Sequence, residues 1–168
     1  MVAQPTLKEL IVVMGISGAG KSTIGAALAK KMELPFLDAD DFHPRENVMK
    51  MSRGQALTDE DRWPWLGAIV QYVLDSHRAT HVLACSALKQ SYRDYLAQRL
   101  KLQVLYLELS REEAIQRLSQ RKNHFMPSSL VDSQLNTLEV PSNALSLSAT
   151  LSPAEIVNTA ASHYGYAK

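Results

Sequence analysis

Residues 10–25, LIVVMGISGAGKSTIG, constrain the fold of this chain more than any other segment. Five apolar residues lead directly into the pattern G-x-x-x-x-G-K-S, which begins at Gly15 and ends at Ser22. An uninterrupted apolar run is typical of a strand that is buried on both faces, as in a parallel sheet. The small residues after it let backbone N–H groups turn toward an anion, and a following helix directs its positive end there. The segment therefore predicts a phosphate-binding loop between a buried strand and a helix.

The residue types inside this loop are those that hold a nucleoside triphosphate together with Mg²⁺. In such a loop the lysine, here Lys21, reaches the β- and γ-phosphates, and the next hydroxyl, here Ser22, is a ligand of Mg²⁺. An ordinary glycine-rich turn is the alternative, and the flanking strand and helix make it the weaker one. The predicted nucleotide-binding residues of the loop are Gly15, Ser17, Gly18, Ala19, Gly20, Lys21, Ser22 and Thr23.

The composition of the chain limits the classes of partner. A chain of 168 residues is of ordinary size for one domain, and we expect a single domain over residues 1–168. The net charge is +1, so no broad positive field attracts nucleic acid or an anionic membrane. Cys85 is the only cysteine, which excludes an intrachain disulfide and fits a reducing compartment. No segment has the apolar length of a membrane span or the pattern of a signal peptide, so we expect a cytoplasmic protein.

Apolar runs and helical periodicities alternate along the rest of the chain. They predict a helix over residues 21–32 and a short strand over 34–38. Pro64 is expected in the first turn of the next helix, after a separate turn at residues 58–62. The alternation predicts an α/β fold in which helices cover both faces of a parallel sheet, with the ligand beyond the carboxyl ends of the strands. Further strands are predicted at residues 81–86, 102–109 and 144–149, and further helices at residues 89–100, from Ser110 to about Asn123, at residues 130–138 and from Ser152.

Residues 38–65 are dense in charge, and we predict that they bind the acceptor of the phosphoryl group. If the preceding strand continues, Asp38 and Asp40 point the same way, so that one holds Mg²⁺ through water and the other meets the acceptor. We assign Asp38 to the metal, together with Ser22, and to the edge of the acceptor site; Asp40 is assigned to the acceptor hydroxyl. A solvated charged loop is the alternative. The neighbouring donors, which suit a polyhydroxylated anion, are His43, Arg45, Lys50 and Arg53.

A second polar group follows a strand end in the segment CSALKQSYRD. Ser86 comes directly after the apolar strand, and Lys89 and Arg93 lie one turn apart in the predicted helix. All three are therefore candidates for contact with the acceptor. An amphipathic helix with exposed basic residues is an equally good interpretation of this segment alone.

Arg117 and Arg121 are also one turn apart, and they lead into KNHFMPSS, a segment with helix breakers and no periodicity. Both arginines are candidates for contact with the nucleotide. The arrangement predicts a mobile lid over residues 121–133, whose arginine neutralises charge on the transferring phosphoryl group and which excludes water. Surface arginine on an exposed helix is the alternative.

The class of nucleotide-binding protein is narrowed by two strings that the chain lacks. Neither D-x-x-G nor N-K-x-D, which GTPase switches require, occurs in the 168 residues. Motor-type ATPases end a buried strand in acidic residues, whereas here only the strand that ends at Asp38 finishes in a carboxylate. This arrangement is common in small-molecule kinases, and ATP is the predicted phosphoryl donor.

The sequence resembles the bacterial gluconate kinases, within the nucleoside-monophosphate-kinase and shikimate-kinase-like group. The matching stretches cover most of residues 14–141, and the block that runs from DADDFHP to DEDRWPWL is particular to this family. The resemblance implies a three-layer α/β/α P-loop kinase fold with a five-stranded parallel sheet, a closing lid and a homodimer. It also implies ATP-dependent phosphorylation of D-gluconate at its 6-hydroxyl. Carried over by position, the acceptor-facing residues are Asp40, His43, Arg53, Ser86, Lys89 and Arg93, and Arg121 faces the ATP phosphates.

Two departures from the family pattern stand out. Ala39 occupies a position between the two aspartates where the family often has glycine, and the spacing is unchanged. The chain after Pro141 matches the family poorly, so the resemblance assigns no adenine-contacting residue there.

The predicted mechanism is in-line phosphoryl transfer with Lys21, Asp40 and Arg121 as the catalytic residues. Lys21, Mg²⁺ and Arg121 stabilise charge on the phosphoryl group, and Asp40 orients the hydroxyl and accepts its proton late. Apart from the resemblance, nothing separates this reaction from phosphorylation of shikimate or of a nucleoside monophosphate. A non-catalytic nucleotide-binding regulator is a further alternative, since it would bind ATP without acceptor-dependent release of ADP.

Overall fold

The computed structural model describes residues 7–120 and 128–165. Five parallel strands form one sheet in the order β2-β3-β1-β4-β5, which confirms the predicted α/β fold with a five-stranded parallel sheet. The strands are β1 (Glu9–Met14), β2 (Phe36–Asp38), β3 (Thr80–Ala84), β4 (Lys101–Glu108) and β5 (Leu145–Ser148).

Helices connect each strand to the next, as right-handed crossovers between parallel strands require. A 3₁₀ turn at Ala39–Phe42 also follows β2 directly. The helices are α1 (Lys21–Met32), α2 (Arg45–Ser52), α3 (Asp59–Asp75), α4 (Gln90–Ala97), α5 (Arg111–Ser119), α6 (Ser128–Thr137) and α7 (Pro153–His163). Among the described helices, none has both the length and the apolar character needed to cross a membrane.

The two faces of the sheet are buried in separate hydrophobic cores. Leu10 and Val12 of β1 pack with α3 residues such as Leu66 on one face. Ile11 and Val13, which alternate with them, pack with α1 and α7 on the other face. All four β1 residues are essentially inaccessible to solvent. The strand therefore reads as a continuous apolar run because both of its faces are covered.

The register of the sheet brings the carboxyl ends of three strands to one level. Val13 in β1 pairs with Ala84 in β3, and Ala84 pairs in turn with Asp38 at the end of β2. The phosphate loop leaves β1 one residue later, after Met14. Consequently the loop, the acidic segment after β2 and the segment after β3 all begin at the same edge, where ligands bind in this class of fold.

The region before Pro64 differs from the prediction. No helix was predicted over residues 45–52, which form α2, and residues 58–62 do not form a separate turn. Instead α3 begins at Asp59, because Thr58 and Asp61 form a reciprocal capping box. Pro64 therefore lies in the second turn, where it removes one intrahelical hydrogen bond, and not in the first turn.

Asp61, at the N-terminal end of α3, should make the free energy of unfolding depend on pH. Its carboxylate accepts hydrogen bonds from Lys50 Nζ at 2.7 Å and from the Thr58 N–H at 2.9 Å, and these lower its pKa from 3.8 to about 2. A pKa that is depressed in the folded state stabilises the fold above the unfolded value and loses that contribution as the pH falls through the folded value. We therefore expect Asp61→Asn to lower the free energy of unfolding at pH 7, and the difference from wild type to disappear between about pH 4 and pH 2.

Urea unfolding at a series of pH values measures this difference. Glu60→Gln is the matched control, because Glu60 lies in the same first turn of α3 and shares its helix dipole but is exposed. Equal losses for the two variants at pH 7 would show that Asp61 acts only through the dipole.

Candidate active site

The phosphate loop turns tightly between β1 and α1. Gly18 and Gly20 have φ values of 92° and 91°, in the left-handed region that L side chains rarely adopt. At Gly15 a side chain is excluded by close packing, because a Cβ atom there would lie 2.9 Å from the Leu107 carbonyl oxygen. Lys21 is the first residue of α1, and its Nζ donates to the Ile16 carbonyl oxygen at 3.1 Å. The loop is therefore shaped as an anion site at a helix N-terminus.

Gln134 of α6 binds the phosphate loop through both atoms of its amide. Its Oε1 accepts from the Ser17 N–H at 2.7 Å, and its Nε2 donates to Ser17 Oγ at 2.9 Å. The polar groups of Ser17 are thus directed to α6 in the ligand-free structure, and the assignment of Ser17 to the nucleotide stays a prediction. The sequence pattern did not reveal Gln134, since 117 residues separate it from its partner.

The metal assignment rests on a contact between the two halves of the site. Ser22 Oγ donates to Asp38 Oδ2 at 3.0 Å, so the first turn of α1 touches the end of β2. Hydroxyl and carboxylate oxygens are the ligands that Mg²⁺ prefers, and it keeps several waters and phosphate oxygens as its other ligands. In the part of the chain that the structure describes, no three His, Cys, Asp or Glu side chains form a metal cluster. This pair therefore suits a nucleotide-bound Mg²⁺ better than a metal held by protein alone.

Asp38 and Asp40 do not lie on one continuous strand. β2 ends at Asp38, and Asp38 Oδ1 accepts from the Asp40 N–H at 3.0 Å, which caps the 3₁₀ turn. Asp38 and Asp40 were predicted to point the same way if the strand continued, and β2 does not continue past Asp38. Asp40 is exposed at the mouth of the site, whereas Ala39 is buried and its carbonyl oxygen accepts from Trp65 Nε1 at 2.7 Å.

His43 is held between α2 and α3. Its ring stacks on Trp65 with a centroid distance of 4.4 Å and an interplanar angle of 14°. Its Nδ1 lies 3.3 Å from Asn47 Nδ2. Burial lowers the pKa of His43, and this effect outweighs the opposing effect of the nearby Asp40 carboxylate. The lowered pKa therefore favours the neutral form of His43.

The other basic residues of the acceptor segment differ in how far they are available to a ligand. Arg53 is exposed at the carboxyl end of α2. Lys50, which was expected to supply a donor, is instead paired with Asp61 at 2.7 Å. Arg45 is exposed at the start of α2. Arg45 and Arg53 are therefore both available to an anionic end of the acceptor, and Arg53 is the one that the family resemblance assigns to it.

Lys89 belongs to a polar cluster at the start of α3. Its Nζ donates to Asp59 Oδ1 at 3.0 Å, and Tyr92 Oη donates to the same oxygen at 2.6 Å. These bonds, the one from Tyr92 foremost, lower the pKa of Asp59, and the bond to Asp59 raises the pKa of Lys89. Lys89 is thus a fixed, partly exposed cation next to the segment after β3.

Arg93 is buried and bonded to backbone carbonyl groups, and its assignment to the acceptor stays a prediction. It is 2% exposed, and its Nη1 and Nη2 donate to the carbonyl oxygens of Ala87 and Glu139 at 2.6 and 2.7 Å. Ala87 has a φ of 45°, an unfavourable value for a non-glycine residue, and Arg93 holds this strained turn in place. Ser86, just before the turn, is partly buried at the end of β3 and stays a candidate for acceptor contact.

Arg117 lies against the phosphate loop, as its assignment to the nucleotide requires. Its Nη1 donates to the Gly18 carbonyl oxygen at 3.0 Å, and its Nη2 donates to the Ala149 carbonyl oxygen at 2.6 Å. A cavity of about 340 Å³ opens beside it, between the loop and α7. Its apolar wall, which the sequence pattern did not reveal, consists of Ala149, Leu151, Pro153 and Ile156. Arg121 and the first part of the predicted lid lie outside the described residues.

Comparison with known proteins identifies the family. A gluconokinase from Gluconobacter oxydans is 46% identical over 136 residues, which are 79% of this chain and 76% of that protein. One from Arabidopsis thaliana is 42% identical over 90% of this chain and 89% of its own. The chain belongs to the gluconokinase family. Residues 17–157 also match the family model described as shikimate kinase, which is consistent with a fold shared by the two kinases.

Solved structures agree with this family assignment. The crystal structure of a gluconokinase from Sinorhizobium meliloti has a TM-score of 0.80 and 44% identity, and covers 91% of this chain and 89% of its own. The shikimate kinase from Aquifex aeolicus has a TM-score of 0.54 at 14% identity, and this likeness shows the fold alone.

The contact between Gln134 and Ser17 predicts that α6 stiffens the phosphate loop. Gln134→Ala removes two hydrogen bonds, each worth about 1 kcal/mol, so we expect faster amide exchange over residues 15–20 and ATP binding weaker by about threefold to tenfold. Hydrogen exchange and calorimetric titration with ATP measure the two effects. Asn136→Ala, an exposed position on the same helix, is the matched control. Unchanged exchange in Gln134→Ala would contradict the proposed stiffening.

Proposed function

We propose that this enzyme transfers the γ-phosphoryl group of ATP to the 6-hydroxyl of D-gluconate, giving 6-phospho-D-gluconate. The observation that carries the proposal is the 3.0 Å contact between Ser22 and Asp38, which joins a phosphate loop to the acidic acceptor segment. Curated gluconokinases 40–46% identical to the chain support the choice of acceptor.

The donor half of the site accounts for binding of ATP. The triphosphate would lie along the loop from Gly15 to Thr23, with Lys21 at the β- and γ-phosphates, and Ser22 and Asp38 would hold Mg²⁺. The adenine occupies the cavity between the loop and α7, where an apolar wall and the Arg117 guanidinium suit a flat aromatic base. Mg²⁺ contributes positive charge that offsets the charge of the phosphates.

The acceptor half offers the chemistry that a sugar acid needs. Asp40 accepts a hydrogen bond from the hydroxyl that attacks, and His43 and Ser86 contact other hydroxyl groups. Arg53 and Lys89 supply the positive charge for the carboxylate at the opposite end of gluconate, since a carboxylate binds most strongly to charged donors. Asp38 borders both halves of the site.

The reaction proceeds by in-line transfer with little covalent participation by the protein. Lys21, on the donor side, and Arg121 stabilise charge on the phosphoryl group as it moves. Asp40 orients the hydroxyl and accepts its proton late, so it contributes more through positioning than as a strong base. The lid over residues 121–133 excludes water, so that the phosphoryl group passes to the hydroxyl of gluconate instead of to water.

The other acceptors fit the comparisons less well. Solved shikimate kinases are 14–17% identical to this chain, whereas the gluconokinases match at 40% or more over most of its length. A regulator without catalysis would not need Asp40 at the mouth of the phosphate site. The homodimer and the cytoplasmic location are expected from the family resemblance and the composition.

An acceptor panel tests the proposal directly. ADP release from Mg-ATP is measured with gluconate, other sugar acids, shikimate and nucleoside monophosphates as acceptors. We expect gluconate to accelerate release most. Acceleration by shikimate or a nucleoside monophosphate alone would assign a different acceptor, and ATP binding without acceleration by any acceptor would indicate a regulator.

Substitution of Lys21 tests the donor half of the site. Lys21→Ala should lower kcat on the order of a hundredfold or more, since one preorganised donor to a developing charge contributes that much. A steady-state assay with gluconate measures the loss. The variant should still be folded by circular dichroism, since Lys21 is only partly buried at the start of α1. A kcat close to that of wild type would contradict the role of Lys21.

Substitution of Asp40 tests the acceptor half. Asp40→Asn should lower kcat with gluconate on the order of a hundredfold, the usual contribution of a positioned proton acceptor, and leave the Kd of ATP nearly unchanged. Asp41→Asn, an exposed carboxylate at the next position, is the matched control and should retain activity. Wild-type turnover in Asp40→Asn would show that Asp40 does not meet the acceptor.

A further inference from the structure

Asn47 is one of the few buried polar residues in the described part of the chain, and its side-chain amide contacts both Asp61 and His43. It is 3% exposed on α2, and its Nδ2 donates to the Asp61 carbonyl oxygen at 2.9 Å. A carbonyl oxygen can only accept, so the nitrogen of the Asn47 amide must be the atom that faces Asp61. The orientation of the amide is therefore determined by its partner.

The orientation of Asn47 determines the tautomer of His43. The same Nδ2 lies 3.3 Å from His43 Nδ1, and its second hydrogen is available for this contact. A donor facing Nδ1 requires an unprotonated Nδ1, so the proton of the neutral ring is on Nε2. A proton on Nδ1 would place two donors against each other in a partly buried site.

Other neighbouring groups hold the His43 ring in place and influence its protonation. Trp65 covers one face of the ring, and the indole is in turn anchored by its bond to Ala39. Two charged groups act on the ring in opposite directions: Asp40, on the 3₁₀ turn, favours the cation, and Arg62, on α3, disfavours it. Within the described residues, Nε2 has no hydrogen-bond partner and is left for a ligand.

We propose that Asn47 is a positioning residue that fixes His43 as a neutral Nε2–H donor, which binds a hydroxyl oxygen of the acceptor and does not act as the base. This assignment deepens the proposed function and rests on it for the identity of the acceptor. It gives two neighbouring residues different roles. Asp40 accepts the proton of the attacking hydroxyl, and His43 selects for an oxygen atom that can accept a hydrogen bond. A neutral donor suits a hydroxyl group without adding a charge that would compete with Arg53 for the acceptor carboxylate.

Imidazole ¹⁵N NMR of the full chain without substrate tests the tautomer independently of the acceptor. The wild-type spectrum at pH 7.5 should show a neutral His43 ring with its proton on Nε2. Exposed His77, which has no hydrogen-bond partner in the described chain, is the internal reference for a ring that exchanges between tautomers. In Asn47→Ala the His43 signals should move toward this exchange average. A proton on Nδ1, a cationic ring in wild type, or an unchanged tautomer in a folded Asn47→Ala would overturn the proposal.

A pair of substitutions at His43 tests the donor without depending on the folding of Asn47 variants. The amide nitrogen of glutamine can occupy the position of Nε2, whereas asparagine is too short to reach it. We expect His43→Gln to keep kcat/KM for gluconate within about threefold of wild type, and His43→Asn to lose roughly tenfold or more, the effect of one hydrogen bond. In His43→Gln the acidic limb of the kcat/KM profile should be unchanged, because no base has been removed.

The outcomes test the donor role of His43 separately from the identity of gluconate as the acceptor. Equal large losses in both His43 variants, with a changed acidic limb, would make His43 the base and overturn its role as a donor. If gluconate is not the acceptor, the kinetic comparison is repeated with the acceptor that the panel identifies, and the NMR result on the free enzyme stands by itself. A purely structural Asn47 would lower the stability of the Asn47→Ala variant without changing the tautomer of His43.

Discussion

The parallel pairing of β2, β3 and β1 is the constraint on which the rest of the site depends. Because Asp38, Ala84 and Val13 lie in register, the segments that follow them leave the sheet at the same edge. The distance between Ser22 and Asp38, 3.0 Å, follows from this alignment. Slipping one strand by a residue would turn its core side chains to the opposite face, so burial on both faces protects the geometry of the site.

The first turns of α3 organise the acceptor half in a similar way. Trp65 contacts both Ala39 and His43. Asp61 accepts a hydrogen bond from Lys50 through its carboxylate and another from Asn47 through its backbone carbonyl oxygen. The acceptor segment is thus held at several points by a helix that lies outside it. Positioned polar groups of this kind need no reorganisation when charge develops, which is how a kinase site stabilises a loose transition state.

The features that could be predicted from the sequence are those encoded by neighbouring residues. The uninterrupted apolar run before Gly15 and the glycine-rich pattern after it determined the strand, the loop and the helix, since each is a local property of the chain. The cap of the last helix was also predicted: Ser152 accepts from the Glu155 N–H, with Pro153 at the first helical position. Short motifs with a capping residue or a buried strand were therefore reliable.

Two of the features that escaped prediction depend on contacts between distant parts of the chain, and a third depends on a local helix cap. Gln134 binds a loop 117 residues away, and Arg93 binds the carbonyl of Glu139, 46 residues further on. Neither contact has a local sequence signal, so the assignment of Arg93 to the acceptor rested on its helical spacing from Lys89 and on the family resemblance. Pro64 was placed in the first turn of its helix because proline favours that position, and the capping box of Thr58 overrides this preference.

The position of the phosphate on the product is the most direct measure of the central claim, that the donor and acceptor halves meet at the attacking hydroxyl of gluconate. Proton–phosphorus correlation NMR of the purified product of Mg-ATP and D-gluconate identifies the carbon that carries the phosphate. The proposed site predicts a correlation from phosphorus to the two protons on carbon 6. A correlation to any other carbon, or the formation of inorganic phosphate without a phosphorylated sugar acid, would contradict it.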